Sequence, residues 1–282
     1  MLAHKTSSRP ADLPDFKSPP VTEVVLGVQF NTVGRFLSPH LGLVWDRFRS
    51  TFPNIEEHPT IPPIFETFGP NPQFFPGVAF QVSTGAEMPR IFFMNSNRTQ
   101  LLQVQRDRFL HNWRKVGTGD DYPRFEHMLD TFADGFQTFT RVLSDQGMGS
   151  VAPNQCEVTY INQIPAQENE SHFEIFNRLF RQQAVGTTFD DLGAPEDMRF
   201  LIRYVMRDAD RAPIGRLIVS AEPARRNDGV GIIQLTLTAM GKPHAADMDG
   251  VIDFLQQGRL HIVRGFTSIT SDTMHNIWER IR

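Results

Sequence analysis

Apolar residues along this chain keep one period, switch to another, and repeat the whole order of switches. Thr22 to Phe30 (TEVVLGVQF) is short and rich in β-branched residues, which predicts a strand. Leu41, Val44, Trp45, Phe48 and Phe52 then recur at helical spacing. They predict a helix from Pro39 to Phe52, closed by Pro53. Three short strands are predicted near 78–84, 90–96 and 100–106, and Arg106-Asp107-Arg108 turns the last into a fourth, FLHNWRK. Phe125, Met128, Leu129, Phe132, Phe136, Phe139 and Leu143 trace a long amphipathic helix.

The second half follows the same order. NQCEVTYINQI (154–164) reads as a strand, and Ser171 with Glu174 forms a capping box for a helix through Phe173, Phe176, Leu179 and Phe180. Strands are predicted near 199–207, 215–221 and 230–239, separated by the turn runs Asp208–Arg211 and Arg226–Gly229. A helix is expected over 247–263, interrupted by Gly265. Thr270 or Ser271 then caps a last helix with Met274, Ile277, Trp278 and Ile281 on one face. The expected fold is therefore α+β, with two pseudo-repeats of β-α-β-β-β(-β)-α. They would form a mainly antiparallel curved sheet with helices on one face. Residues 1–20, polar and proline-rich, are expected as an extended or disordered lead-in, 21–149 as the first repeat and 150–282 as the second. Residues 53–77 hold seven prolines among Ile and Phe, so no regular element is expected there, but a loop packed on the body or on a partner.

Composition narrows the classes. A net charge of -4 gives no global attraction to nucleic acid or acidic membranes, so such binding needs a local patch. The 24 Phe against 3 Tyr imply a core filled with rings that lack a polar tip. Cys156 is the single cysteine, so no intrachain disulfide forms, which fits a reducing cytoplasm. No apolar run approaches the roughly 18 residues of a membrane helix, and the N-terminus has no secretory h-region.

Period-2 alternation gives each strand one core face and one polar face. The polar side collects Gln103 and Gln105, then Gln155, Glu157 and Thr159, then Arg203, and then Gln234 and Thr236. Amides and hydroxyls on such a face suit hydrogen bonding to a nucleic acid, a peptide or a small polar ligand; an ordinary solvated face carries the same pattern. The run QVQRDRFLHNWRK concentrates Arg106, Arg108, Arg114 and Lys115 with His111 and Trp113. Cations interleaved with aromatics suit phosphate and base contacts, and equally an ordinary hairpin with a cation–π pair. No zinc spacing, Walker A, GxSxG or GxGxxG pattern occurs, so neither a catalytic residue nor a metal nor a cofactor is expected. Cys156 falls on the core parity, where a thiol is inert.

Four segments, PPVTEVVLGVQF, LLQVQRDRFLHNWRK, PNQCEVTYINQI and IVRGFTSITSDTMHNIWER, resemble a sporadically distributed family of uncharacterised prokaryotic proteins. The resemblance implies an accessory role of the toxin–antitoxin or phage-defence kind and gives no residue a chemistry. The expectation is a non-enzymatic cytoplasmic protein that engages a nucleic acid or protein partner through its polar sheet face, with homo-oligomers allowed and no membrane contact. An enzyme or sensor holding a small polar ligand between the repeats, with Glu157, Gln105, His111 and Tyr160 at the site, is the first alternative. A structural subunit anchored through Phe65, Phe68, Phe74 and Phe75 is the second.

Overall fold

The computed structural model describes residues 9–68, 88–181 and 195–282. In chain order the strands are β1 (Val21–Phe30), β2 (Asn54–His58), β3 (Arg90–Met94), β4 (Gln100–Gln105), β5 (Arg108–Arg114), β6 (Pro153–Pro165), β7 (Phe200–Arg207), β8 (Pro213–Arg225) and β9 (Gly231–Gly241). The helices are α1 (Leu41–Phe48), α2 (Phe125–Asp145), α3 (His172–Leu179), α4 (Met248–Ile269) and α5 (Asp272–Ile277). The fold is α+β, and its strands form one nine-stranded sheet in the order β2-β3-β4-β5-β1-β6-β9-β8-β7. Every neighbouring pair is antiparallel.

β1 and β6 meet at the middle of this order, in register from Glu23 opposite Ile161 to Gln29 opposite Gln155. Alternation sends Val24, Leu26, Val28 and Phe30 to the helix side, with Phe109 of β5, Val158 of β6 and Leu237 of β9. There α2 sets Phe132 edge-on to Phe109 and stacks Phe139 on it, at ring distances of 5.9 and 5.5 Å. In the same way α1 sets Phe48 on Phe93, and α3 sets Phe176 on Phe200. The phenylalanine surplus is thus spent mainly in one ring-lined core.

Local chemistry fixes the helix starts. Ser171 and Glu174 close the expected capping box on α3. Asp247 accepts from the Gly250 N–H at the head of α4, and Ser271 from the Met274 N–H at the head of α5.

Three expectations are corrected. The first helix is shorter than Pro39–Phe52, because Ser38–His40 form a 3-10 turn and the α-helix ends at Phe48. The proline-rich stretch does hold a regular element: β2 pairs with β3 before the prolines become dense. Gly265 does not interrupt a helix; α4 runs through it, and an added Cβ there would stand 3.0 Å from Leu217. The glycine lets the helix settle onto β8. Residues 9–20 run as irregular chain laid on the body: Leu13 and Phe16 are buried, and Phe16 meets Phe266 and Trp278 edge-on. The strand expected at 78–84 lies outside the described residues, as do Phe74 and Phe75. Among the described residues no helix is long and apolar enough to cross a membrane.

Close approach imposes the glycine at position 27. An added Cβ at Gly27 would lie 2.3 Å from Leu110 Cδ2 and 2.7 Å from Glu157 Cγ. Gly27→Val is therefore expected to cost about 1–3 kcal/mol through overpacking, read as a lowered urea midpoint. Leu110→Ala in the same chain should return part of that loss; a fully additive double variant would argue against the clash.

Candidate functional site

On the side of the sheet away from the helices, polar side chains form two bonded groups. In the first, Arg90 Nη1 donates to Gln103 Oε1 at 2.9 Å. Gln103 Nε2 donates to Asn112 Oδ1 at 2.9 Å, and Asn112 Nδ2 donates to Glu23 Oε1 at 2.6 Å. This chain crosses β3, β4, β5 and β1. Burial raises the Glu23 pKa, and the Asn112 bond opposes that rise.

The second group is covered. Residues 59–68 leave β2 and run as an irregular strap across the outer face. The Ile61 N–H donates to Gln105 Oε1 at 3.0 Å, while Gln105 Nε2 donates back to the Ile61 carbonyl at 2.8 Å. Arg108 Nη2 donates to the Pro62 carbonyl at 3.1 Å and to Gln29 Oε1 at 2.7 Å. The Ile64 N–H also donates to Gln29 Oε1. Farther along, Arg216 of β8 pairs with Glu66, donates to the Thr67 carbonyl at 2.8 Å and stacks over Phe68. From β4 to β8 there are five strand spacings, about 24 Å at ~4.8 Å each. Six residues of fully extended chain span about 20 Å, so the strap runs extended and the Gln105 and Arg216 side chains reach across the remainder. Pro62-Pro63 favours that extension.

Beneath Ile64 lies a small, half-open space of about 10 Å³, bounded by Arg108, Gln155 and Glu157. It has room for about one water. Gln155 Nε2 and Arg108 Nε are buried there without a partner. Burial raises the Glu157 pKa, against the pull of Arg108. Such a space is too small to hold a small-molecule ligand beside Glu157.

The structure scatters the cationic run. Arg108 is buried under the strap, and Arg106 is held to the Gly34 carbonyl at 3.0 Å. Arg114 bonds to the Arg98 carbonyl at the far end of β5, about 20 Å from Arg108 along the strand, and Lys115 is exposed. His111 and Trp113 are corrected outright: they sit on the opposite face, in the core. Trp113 packs on Tyr122 at 5.4 Å. His111 is fully buried beneath α2, its Nδ1 3.3 Å from the Met128 carbonyl and its Nε2 3.2 Å from the Gln100 amide. Gln103, Gln105 and Gln155 are 4–6% exposed. Thr159, bonded to Thr238 at 2.9 Å, stays half-buried with Arg203, Gln234 and Thr236 on the outer face of the second half.

Sequence reasoning missed Gln29, Asn112 and Arg216, the residues that tie the face and its cover together. Gln29 and Arg216 fit the alternation of their strands, so their face was readable and their partners were not. Cys156 is buried, and burial pushes its thiol pKa up. Among the described residues no group of three or more His, Cys, Asp or Glu is arranged to hold a metal. No family model matches this chain, nor does any curated protein or solved structure. The site is therefore argued from its chemistry alone.

Burial pushes the His111 pKa down to about 4, below its unfolded value of about 6.5. The unfolded chain therefore takes up the proton first on acidification. The stabilisation is full above pH 6.5 and is lost as pH falls toward 4, a difference on the order of 3 kcal/mol. Glu23 and Glu157, with raised pKa values, act in the opposite sense. Urea unfolding at pH 7 and at pH 4.5 should show a smaller acid loss in His111→Gln than in the parent protein. Equal losses would show that this histidine does not set the acid limb.

Proposed function

We propose that this chain is a non-enzymatic binding protein whose outer sheet face recognises an extended, proline-bearing segment of a protein partner. Residues 59–68 occupy that face when the partner is absent. The observation that carries the reading is the reciprocal pair between the Gln105 side chain and both backbone groups of Ile61. A side-chain amide that takes an N–H and a C=O from one residue reads peptide backbone, whatever the side chain. Arg108 on the Pro62 carbonyl, Gln29 on the Ile64 N–H and the hole under Ile64 extend the same recognition. Recognition of polyproline-type peptides elsewhere uses the low entropy of the preformed extended chain.

The observations favour protein over nucleic acid. A phosphate-binding patch needs free cations close together. Arg108 and Arg216 are buried on backbone carbonyls, and Arg106 and Arg114 are turned to carbonyls at separate ends. We further read the chain as an internal duplication that makes the curved sheet continuous. The adjacency of β1 and β6 supports this, as does the placement of each half's remaining strands on its own side.

The test is fluorescence anisotropy with a labelled peptide of residues 59–68, PTIPPIFETF. Glu66→Ala removes the strap's buried ion pair and leaves the receptor residues intact. The peptide should bind this variant roughly tenfold or more tightly than the parent, in keeping with the cost of breaking a buried pair. Adding Gln105→Ala should weaken that binding again. A peptide that binds neither protein, or ignores Gln105→Ala, removes the reading.

A further inference from the structure

On the helix side of the same β1–β6 seam lies a second, half-open pocket, of about 60 Å³. At ~10–15 Å³ for each water-sized group it has room for roughly four to six. Leu237, Val263 and Phe266 form its apolar wall, and residues 9–20 line another side. That segment is stitched to the C-terminus: the Ile281 N–H donates to the Asp15 carbonyl at 2.8 Å, and the Asp15 N–H donates to the Arg282 carbonyl at 3.2 Å.

The polar end is built from Tyr122 and Tyr160, whose hydroxyl oxygens lie 2.9 Å apart. Each hydroxyl carries one hydrogen. Only one of the two can lie in the bond between them, and no other acceptor meets either oxygen among the described residues. One O–H donor is therefore left over at the cavity. Burial raises both tyrosine pKa values, so the pair stays protonated at neutral pH.

Around this pair stand three guanidinium groups and two carboxylates. Arg9 and Arg124 share Asp15 at 3.2 and 3.0 Å, and Arg259 pairs with Glu126 at 2.8 Å. One positive charge is unbalanced, and Arg9 Nε is buried without a partner. Arg124 is held at φ 72°, ψ 151°, a region that costs a non-glycine residue about 1–3 kcal/mol and recurs at ligand clamps.

We propose that this cavity binds a short-chain organic acid of about four to six non-hydrogen atoms. Its carboxylate accepts the surplus tyrosine hydrogen and balances the surplus guanidinium charge, and its alkyl end lies on Val263, Phe266 and Leu237. A surplus donor selects an acceptor, the charge count selects an anion, and the apolar wall rejects a fully polar one such as inorganic phosphate.

The experiment is thermal unfolding of the full chain at pH 7 against butyrate, with chloride at equal ionic strength as the control. A ligand that binds only the folded state raises Tm by mass action. Butyrate should raise Tm saturably, and chloride should not. Tyr122→Phe with Tyr160→Phe removes the donor and keeps the rings, so the butyrate midpoint should rise about tenfold. Val263→Phe fills the apolar end without touching a hydroxyl and should abolish the response, which keeps the test decisive where the double variant folds poorly. A parent Tm that ignores butyrate, or a response equal in the parent and in Val263→Phe, overturns the proposal and leaves water as the occupant.

Discussion

The pairing of β1 with β6 is the constraint on which the rest depends. It joins strands of the first half to strands of the second in one hydrogen-bonded sheet. Once that register is set, period 2 decides what each face receives. Gln29, Gln155, Gly27 and Glu157 go outward; Val24, Val28, Val158 and Tyr160 go to the helices. Both the strapped polar face and the tyrosine cavity lie over this seam. A slip of one residue would exchange the two sets and destroy both at once.

A polar sheet face is at ease in water and costly under a cover. Each buried amide or guanidinium left without a partner costs about 1–3 kcal/mol. The strap meets this demand with its backbone, through five hydrogen bonds from Ile61 to Thr67. At about 1 kcal/mol net each, these weigh against ordering the eight residues 61–68 at about 1 kcal/mol or more apiece. Pro62 and Pro63 have less freedom to lose. The bonds alone fall short of the ordering cost by about 3 kcal/mol, and the Arg216–Glu66 pair and the Phe68 stack offset that shortfall, so the cover is held by a small margin. A segment with a small margin over a face that reads backbone is one that a better-fitting chain can displace.

Much of the frame was legible in sequence, and the reasons for the misses are physical. Alternation in QCEVTY and GIIQLTLT marks strands whose two faces differ, and a heptad-like run of Phe marks α2. The same rule was under-used in the 108–114 strand. Residues that alternate in a strand point to opposite faces, so Arg108 and Arg114 are separated from His111 and Trp113 by the sheet itself. Interleaving at period 2 therefore divides cations from aromatics. The covering segments left weaker signals, because an irregular chain owes its position to partners distant in sequence: Gln105 for Ile61, Arg216 for Glu66, Trp278 for Phe16. Tyr122 had no periodicity at all, since it lies in the connection before α2.

The two covers share a composition, and the likeness has a cause. Residues 9–20 carry Pro10, Pro14, Pro19 and Pro20, and the strap carries Pro59, Pro62 and Pro63. An irregular segment laid on a protein surface must find a partner for every backbone N–H that it removes from water. Proline has no N–H, so each one removes a demand and keeps its carbonyl free to accept, as Pro62 does from Arg108. It also holds the chain extended, which lets few residues cross many strands. Helices could not do this on the outer face, because they carry their own backbone bonds and would leave Gln29, Gln105, Arg108 and Arg216 unanswered. A polar sheet face thus calls for a proline-bearing extended chain as its cover, whether that chain belongs to this protein or to another.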